Sequence, residues 1–222
     1  NNSGTQISFV MPNHWEADGK VWMQEPGSAS FLRMDVATGK FEQFKPFANL
    51  PEDSPLYGKR NGYYEAWPDA QNNLYFAVFS DRFIGRLDAK TGKVTFYPTP
   101  TNHSRPRRGM LDDQGRIWFA EYEGNKTGMF DTKTLEFKEW QLPTAWMMAY
   151  DSAIDKNGDI WTGGMGSDRI VRVNSVTGER TEYQLPHETN IRNIYVDNST
   201  SPVTVWTGSN HGAAIVKLEP LD

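Results

Sequence analysis

An aromatic-centred segment recurs five times in this chain, and that recurrence constrains the fold more than any other feature. It reads Lys20-Val21-Trp22-Met23-Gln24-Glu25, then Asn73-Leu74-Tyr75-Phe76-Ala77-Val78, then Arg116-Ile117-Trp118-Phe119-Ala120-Glu121. Asp159-Ile160-Trp161-Thr162-Gly163-Gly164 and Thr204-Val205-Trp206-Thr207-Gly208-Ser209 complete the series. The aromatic stands at 22, 75, 118, 161 and 206, with spacings of 53, 43, 43 and 45. A turn segment keeps the same register at Ala37-Thr38-Gly39-Lys40, Lys90-Thr91-Gly92-Lys93, Lys133-Thr134-Leu135-Glu136 and Val176-Thr177-Gly178-Glu179. So does a second aromatic, at Phe44, Tyr97, Trp140 and Tyr183. Three marks in one register define a structural repeat.

Each unit holds runs of four to six β-branched and aromatic residues separated by Gly, Asp, Asn and Thr, the pattern of short strands joined by tight turns. No stretch carries apolar residues at helical spacing long enough for a helix. Four strands in about 43 residues predict the blade of an all-β propeller. The expected blades are residues 13–47, 62–100, 105–143, 148–186 and 191–222, the last completed by residues 5–12. Residues 6–12 match an outermost strand with no blade before it, while the last unit stops after Ile215-Val216-Lys217-Leu218. Pairing the two would close a ring of five four-stranded blades and cover both edges. The alternative is the C-terminal part of a six- or seven-bladed propeller. Either way the five repeat aromatics are expected between blades, buried alike.

Composition narrows the function classes. A net charge of −5 and one short basic cluster, Arg105-Pro106-Arg107-Arg108, argue against a nucleic-acid partner. No apolar run is long enough to span a membrane as a helix. The absence of cysteine removes disulfides, thiolate catalysis and Cys-ligated metals. Eight Trp, nine Tyr and twelve Phe are enough to build a core, which excludes a disordered chain.

Gly115-Arg116-Ile117-Trp118-Phe119-Ala120-Glu121, followed by Gly124-Asn125-Lys126-Thr127-Gly128, resembles the streptogramin B lyase (virginiamycin B lyase) repeat. Ser80-Asp81-Arg82-Phe83-Ile84-Gly85-Arg86 and Ser167-Asp168-Arg169-Ile170-Val171-Arg172 match its second segment. The likeness covers nearly the whole chain apart from an insertion at residues 48–66. It implies a propeller of a family whose enzymes open an ester ring by elimination. These enzymes use a magnesium ion, histidines opening a first strand and glutamates closing the Trp-Phe strand. Residue by residue, Pro12-Asn13-His14 and Glu25 match best. Arg108-Gly109-Met110 stands where a histidine would, though Glu121 is kept. Asp151 and Asn193 occupy the same place in later blades, so paired histidines from neighbouring blades are absent.

A propeller brings first-strand starts and second-strand ends to one mouth of its channel, the default place for a ligand. His14 is expected there as a general base, with His211 in Ser209-Asn210-His211-Gly212 as its partner. Glu25, Glu121 and Asp151 are hard oxygen donors suited to Mg²⁺ or Ca²⁺. Tyr64, Arg107, Arg108 and Asn193 are the expected ligand contacts, and Tyr63 and Tyr64 in the insertion suit a sugar or ring face. Asp155-Lys156-Asn157-Gly158-Asp159 imitates the start of an EF-hand loop but lacks its closing glutamate, and reads as a turn.

These features predict a propeller module that binds a small-molecule or carbohydrate-like ligand at the mouth. It is expected as part of a larger exported protein with further domains or subunits, periplasmic or extracellular rather than cytoplasmic. A divalent-metal-dependent lyase or lactone-cleaving enzyme is the alternative, and a rigid docking scaffold the third class.

Overall fold

The turns set the repeat in three dimensions. A computed structural model describes residues 11–25, 28–59 and 61–221, leaving aside the side chains of residues 11–15. Asp35 Oδ1 accepts from the backbone N–H and hydroxyl of Thr38, both at 2.8 Å. Asp88 does the same for Thr91 at 2.9 Å. Gly39, Gly92 and Gly178 then take φ of 68°, 73° and 75° at the turn's tight corner. Leu135 occupies that corner in the third repeat at φ 63°, where its Cβ makes the conformation costly. The preceding turn is also built by a carboxylate. Asp155 Oδ1 accepts from the N–H groups of Asn157 and Asp159, so the EF-hand look-alike is a turn.

Two compact units result, residues 1–98 and 99–222. In the first, β1 (Met11–Ala17), β2 (Lys20–Glu25), β3 (Ser30–Asp35) and β4 (Phe41–Phe44) form one antiparallel sheet. There, β5 (Ala66–Pro68), β6 (Leu74–Val78), β7 (Phe83–Leu87) and β8 (Val94–Pro98) form another. The second unit opens with β9 (Pro106–Leu111), β10 (Arg116–Glu121), β11 (Lys126–Asp131) and β12 (Phe137–Gln141). Its next sheet is β13 (Ala149–Ile154), β14 (Asp159–Gly164), β15 (Arg169–Asn174) and β16 (Arg180–Gln184). Its last has three strands among the described residues, β17 (Ile194–Asp197), β18 (Thr204–Ser209) and β19 (Ala214–Leu218).

Strands follow chain order in every sheet, so each sheet is a meander. Two sequence expectations change here. Met11 and Pro12 belong to β1, opposite Gln24 and Met23, rather than to an outer strand of the last blade. Their pairing with β2 carries the first sheet's inner strand across a register shift between Pro12 and Glu16. Residues 5–10 lie outside the described residues. The repeat aromatics are also not alike. Trp22, Trp118 and Trp161 are at most 2% exposed and Tyr75 4%, whereas Trp206 is 36% exposed. The second-strand aromatic stacks on the fourth-strand aromatic, as in Trp118 on Trp140 at 6.0 Å and Trp161 on Tyr183 at 5.7 Å. The last sheet supplies no fourth-strand ring among the described residues, and Trp206 carries only the Lys217 ammonium 5.4 Å over its face.

Each buried repeat tryptophan reaches the next sheet of its unit. Trp118 packs with Met147, Ala149, Ile160 and Val171, and Trp161 with Ile191, Ile194, Val196 and Val205. In the first unit Trp22 joins Phe31, Leu74 and Phe76. The indole N–H groups are satisfied within the same cores, Trp118 by Asp112 at 2.8 Å and Trp161 by Asp155 at 2.9 Å. Trp22 donates instead to Asn72 at 2.7 Å.

The opposite sheet face shows size matching between β-strand partners. Phe76 lies opposite Gly85, and Phe119 opposite Gly128. Where the second strand has Thr162, the third has Val171. A Cβ on Gly128 would stand 2.5 Å from Phe119 Cζ, inside the ring's contact distance. Gly128→Ala is therefore expected to destabilise by about 1–3 kcal/mol through overpacking. Urea denaturation checks this, with Phe119→Leu expected to restore part of the loss. An unchanged midpoint for Gly128→Ala would show that the ring swings aside freely.

Candidate functional site

Two of the three first strands in the second unit, β9 and β13, start with a bulge. The register of β9 on β10 shifts between Phe119 and Glu121, and that of β13 on β14 between Ala149 and Asp151. A bulge re-aims the side chains beside it. Here it brings Arg107 of β9 onto two rings, with its guanidinium carbon 3.7 Å from the Tyr122 centroid and 4.4 Å from that of Tyr150. The rings are nearly perpendicular at 6.2 Å. Such a stack fixes the orientation of the guanidinium. The Tyr122 hydroxyl reaches Met148 Sδ at 3.7 Å, tying the segment before β13 to the same cluster.

Asp151 is buried and accepts from the Ile194 backbone N–H at 2.8 Å, clipping β13 to the start of β17. Asn193 is exposed beside it, and its carbonyl accepts from the Thr207 hydroxyl at 2.8 Å. Arg108 is half-buried in β9, next to Arg107. His211 is exposed in the turn after β18, close enough to Asp168 to help hold that carboxyl below its ordinary value. The stronger causes there are the hydrogen bonds of Thr189, which act against the cost of burial.

The glutamates at second-strand ends face across their sheets. A strand side chain projects from a sheet face, so the last residue of a second strand meets its neighbours on strands three and four. Glu121 is 0% exposed, with Lys126 opposite it in the ladder and neither oxygen in a hydrogen bond. Around it Lys126 Nζ contacts Glu139 at 2.8 Å and Thr101 Oγ1 at 2.6 Å, and the Thr101 hydroxyl donates to Glu139 at 2.6 Å. Burial, then the Glu139 carboxylate, pushes Glu121 up to about 9, so it is a neutral acid near pH 7. Those same bonds hold Glu139 below its ordinary value, against the cost of burying it.

In the first unit Glu25 stands in the equivalent ladder position. Its Oε2 accepts from Ser28 at 2.5 Å, Ser30 at 2.7 Å and Gln43 at 3.3 Å. Tyr63 is core, stacked on Phe31 at 4.1 Å with its hydroxyl donating to the Ser30 carbonyl. Tyr64 is half-buried with its ring 5.6 Å from Phe79. With Leu56 fully buried, the insertion packs as core of its unit. The His14 side chain lies outside the described residues.

Glu25 is held by hydroxyls and an amide, Glu121 is a buried neutral acid, and Asp151 accepts from a backbone N–H. No group of three or more His, Asp or Glu side chains among the described residues is placed to hold an ion. Mg²⁺ or Ca²⁺ would require these side chains to leave their present partners.

Sequence reasoning missed Tyr122, Tyr150 and the segment Trp146-Met147-Met148. One signal was available. Trp146 lies outside the repeat register, in a connection where the other units carry no tryptophan.

Meandering sheets, a recurrent period of about 43 residues and repeat tryptophans packed against the next sheet of their unit define a β-propeller. A profile of the virginiamycin B lyase family matches residues 51–220, and the chain belongs to that family. Among solved structures it is similar to a streptogramin B lyase, at 22% identity and a TM-score of 0.72, over 98% of this chain and 71% of that one. A catalytically inactive virginiamycin B lyase from Staphylococcus aureus, solved with quinupristin, is similar at 19% identity and a TM-score of 0.74, covering 98% and 72%. The extracellular domain of a protein described as a one component system from B. thetaiotaomicron is similar at 16% identity and a TM-score of 0.67, covering 93% and 27%. At these identities the likenesses establish the fold. A comparison with curated protein sequences finds no match.

Proposed function

We propose that this chain is a ligand-binding propeller module of the virginiamycin B lyase family that does not catalyse ring opening. The observation that carries the reading is the state of Glu121, the acid closing the family's Trp-Phe strand. It is fully buried, with Lys126 opposite it and Glu139 beside it, and so is closed off from a ligand or ion at the surface. Arg108 in place of a first-strand histidine supports the same reading. Half-buried Arg107, oriented by Tyr122 and the buried Tyr150, supports a preorganised polar contact for a small ligand. We place the module in an exported protein, outside the cytoplasm. Recovery of the chain only from spheroplast lysate after osmotic shock of its host would overturn that location.

The test uses quinupristin as the probe, with and without Mg²⁺. Ring opening by elimination adds no atoms, so product and substrate are isomers of equal mass and must be separated by chromatography. The expected result is saturable heat in calorimetry, independent of Mg²⁺, with quinupristin recovered unopened. A Mg²⁺-dependent ring-opened isomer would overturn the binding-only reading in favour of the lyase. Absence of heat would remove this ligand class.

A further inference from the structure

The last sheet gives one face to the core and leaves the other open. Ile194, Val196, Val205 and Leu218 pack toward Trp161, while Tyr195, Trp206 and Ile215 stand on the opposite face, 63%, 36% and 78% exposed. The ladder sets these three side by side. Tyr195 lies opposite Trp206, Trp206 opposite Lys217, and Ile215 opposite Gly208, two residues further along the same face. This face is built like the covered ones. The Lys217 ammonium lies 5.4 Å over Trp206, as the Arg172 guanidinium lies 5.6 Å over Trp161 and that of Arg33 5.2 Å over Trp22. Elsewhere in the second unit the next sheet lies on the repeat aromatic. There β13 packs on β9 and β10, and β17 on β13 and β14, so that Ala149 reaches Trp118 and Ile194 reaches Trp161. Among the described residues nothing encloses Trp206 in this way, and β19 has no fourth strand beside it.

We infer that the Tyr195, Trp206 and Ile215 face docks a further sheet of the same propeller, carried on a longer form of this polypeptide. The covered faces define the occupant's chemistry. It presents a first strand of small and β-branched apolar residues, in the place that β13 takes on β10. Five sheets account for 71% of the streptogramin B lyase structure and 72% of the virginiamycin B lyase structure, and the remainder of each fold has room for about two more. A second copy of the chain is a poorer occupant. The three side chains together expose on the order of 300–400 Å², about half of the roughly 800 Å² per partner in a stable complex. A sheet continuous with the chain needs less area, because its docking is intramolecular.

Immunopurification of the native product from its host, with hydroxyl-radical footprinting beside the chain of 222 residues, tests the inference. The native product is expected to be longer by about two repeat units, and peptide mapping of the extra segment should read the aromatic-centred repeat. Oxidation of Tyr195, Trp206 and Ile215 should fall several-fold in the native product. Val176, 91% exposed on the turn after β15, should be oxidised equally in both. A native product of 222 residues, or an extra segment without the repeat, would overturn the occupant. Unchanged oxidation of the three residues in a longer product would overturn the docking face. Protection already present in the chain of 222 residues, and lost on dilution, would put a second copy in place of the further sheet.

Discussion

Trp161→Ala is expected to cost about 3–5 kcal/mol of stability, the range for truncating a large buried aromatic, and Trp206→Ala about 1 kcal/mol. The two positions are repeats of one another in sequence. Trp161 is fully buried, stacks on Tyr183, carries Arg172 over its face at 5.6 Å and donates to Asp155. Its removal opens a cavity beside Ile191, Ile194 and Val205, and strips a buried carboxylate oxygen of its donor. Trp206 keeps a third of its surface in water, and its loss opens no enclosed space. Urea denaturation of both variants measures the contrast. Equal losses would mean that the outer face of the last sheet is covered in solution.

The second large effect is a pH dependence set by Glu121. Its folded-state value of about 9 stands above the ordinary 4.5, so the folded chain holds a proton that the unfolded chain releases. The stabilisation is full below the ordinary value and is lost as pH rises from there through about 9. Glu139 acts in the opposite sense, since its lowered value contributes above the ordinary range and is lost on acidification. Between pH 6 and 9 the wild type should therefore lose stability, on the order of 1–3 kcal/mol once relaxation around the buried group is allowed for. Glu121→Gln, a neutral isostere, should remove most of that slope and be the more stable protein at pH 9. Parallel slopes for the two proteins would show that Glu121 does not hold the proton.

Much of the architecture was legible because it is written locally and repeated. Turn chemistry appears as Asp or Asn three residues before Thr. Aromatics stand at fixed offsets, and Phe on one strand faces Gly on the next. The expected site was legible only as a set of positions. His211, Asn193, Arg107 and Asp151 were expected at first-strand starts or second-strand ends; Asn193 and His211 lie just outside β17 and β18, and Arg107 and Asp151 just inside β9 and β13. The directions of the acids were not legible, because a carboxylate at the end of a second strand has a choice of partners. That choice depends on whether strands three and four offer Lys126 and Glu139 or Ser30 and Gln43. Tyr63 illustrates the same limit. An adjacent pair of tyrosines reads as a ligand platform until Phe31 is found stacked on one of them.

By itself the sequence determined the period, the all-β class, the turn types and which residues share a sheet face. Each of these follows from backbone geometry over a few residues, multiplied by repetition. Only the tertiary structure decided that Glu121 is a neutral buried acid, that Arg107 lies between Tyr122 and Tyr150, and that Trp206 differs from its four counterparts. Those properties depend on what the neighbouring strand or sheet places within about 4 Å, where burial and charge interactions change steeply with distance. Trp146 belongs to the same group, since bonds from Asn125 on one sheet and Met165 and Gly166 on the next turn it outward.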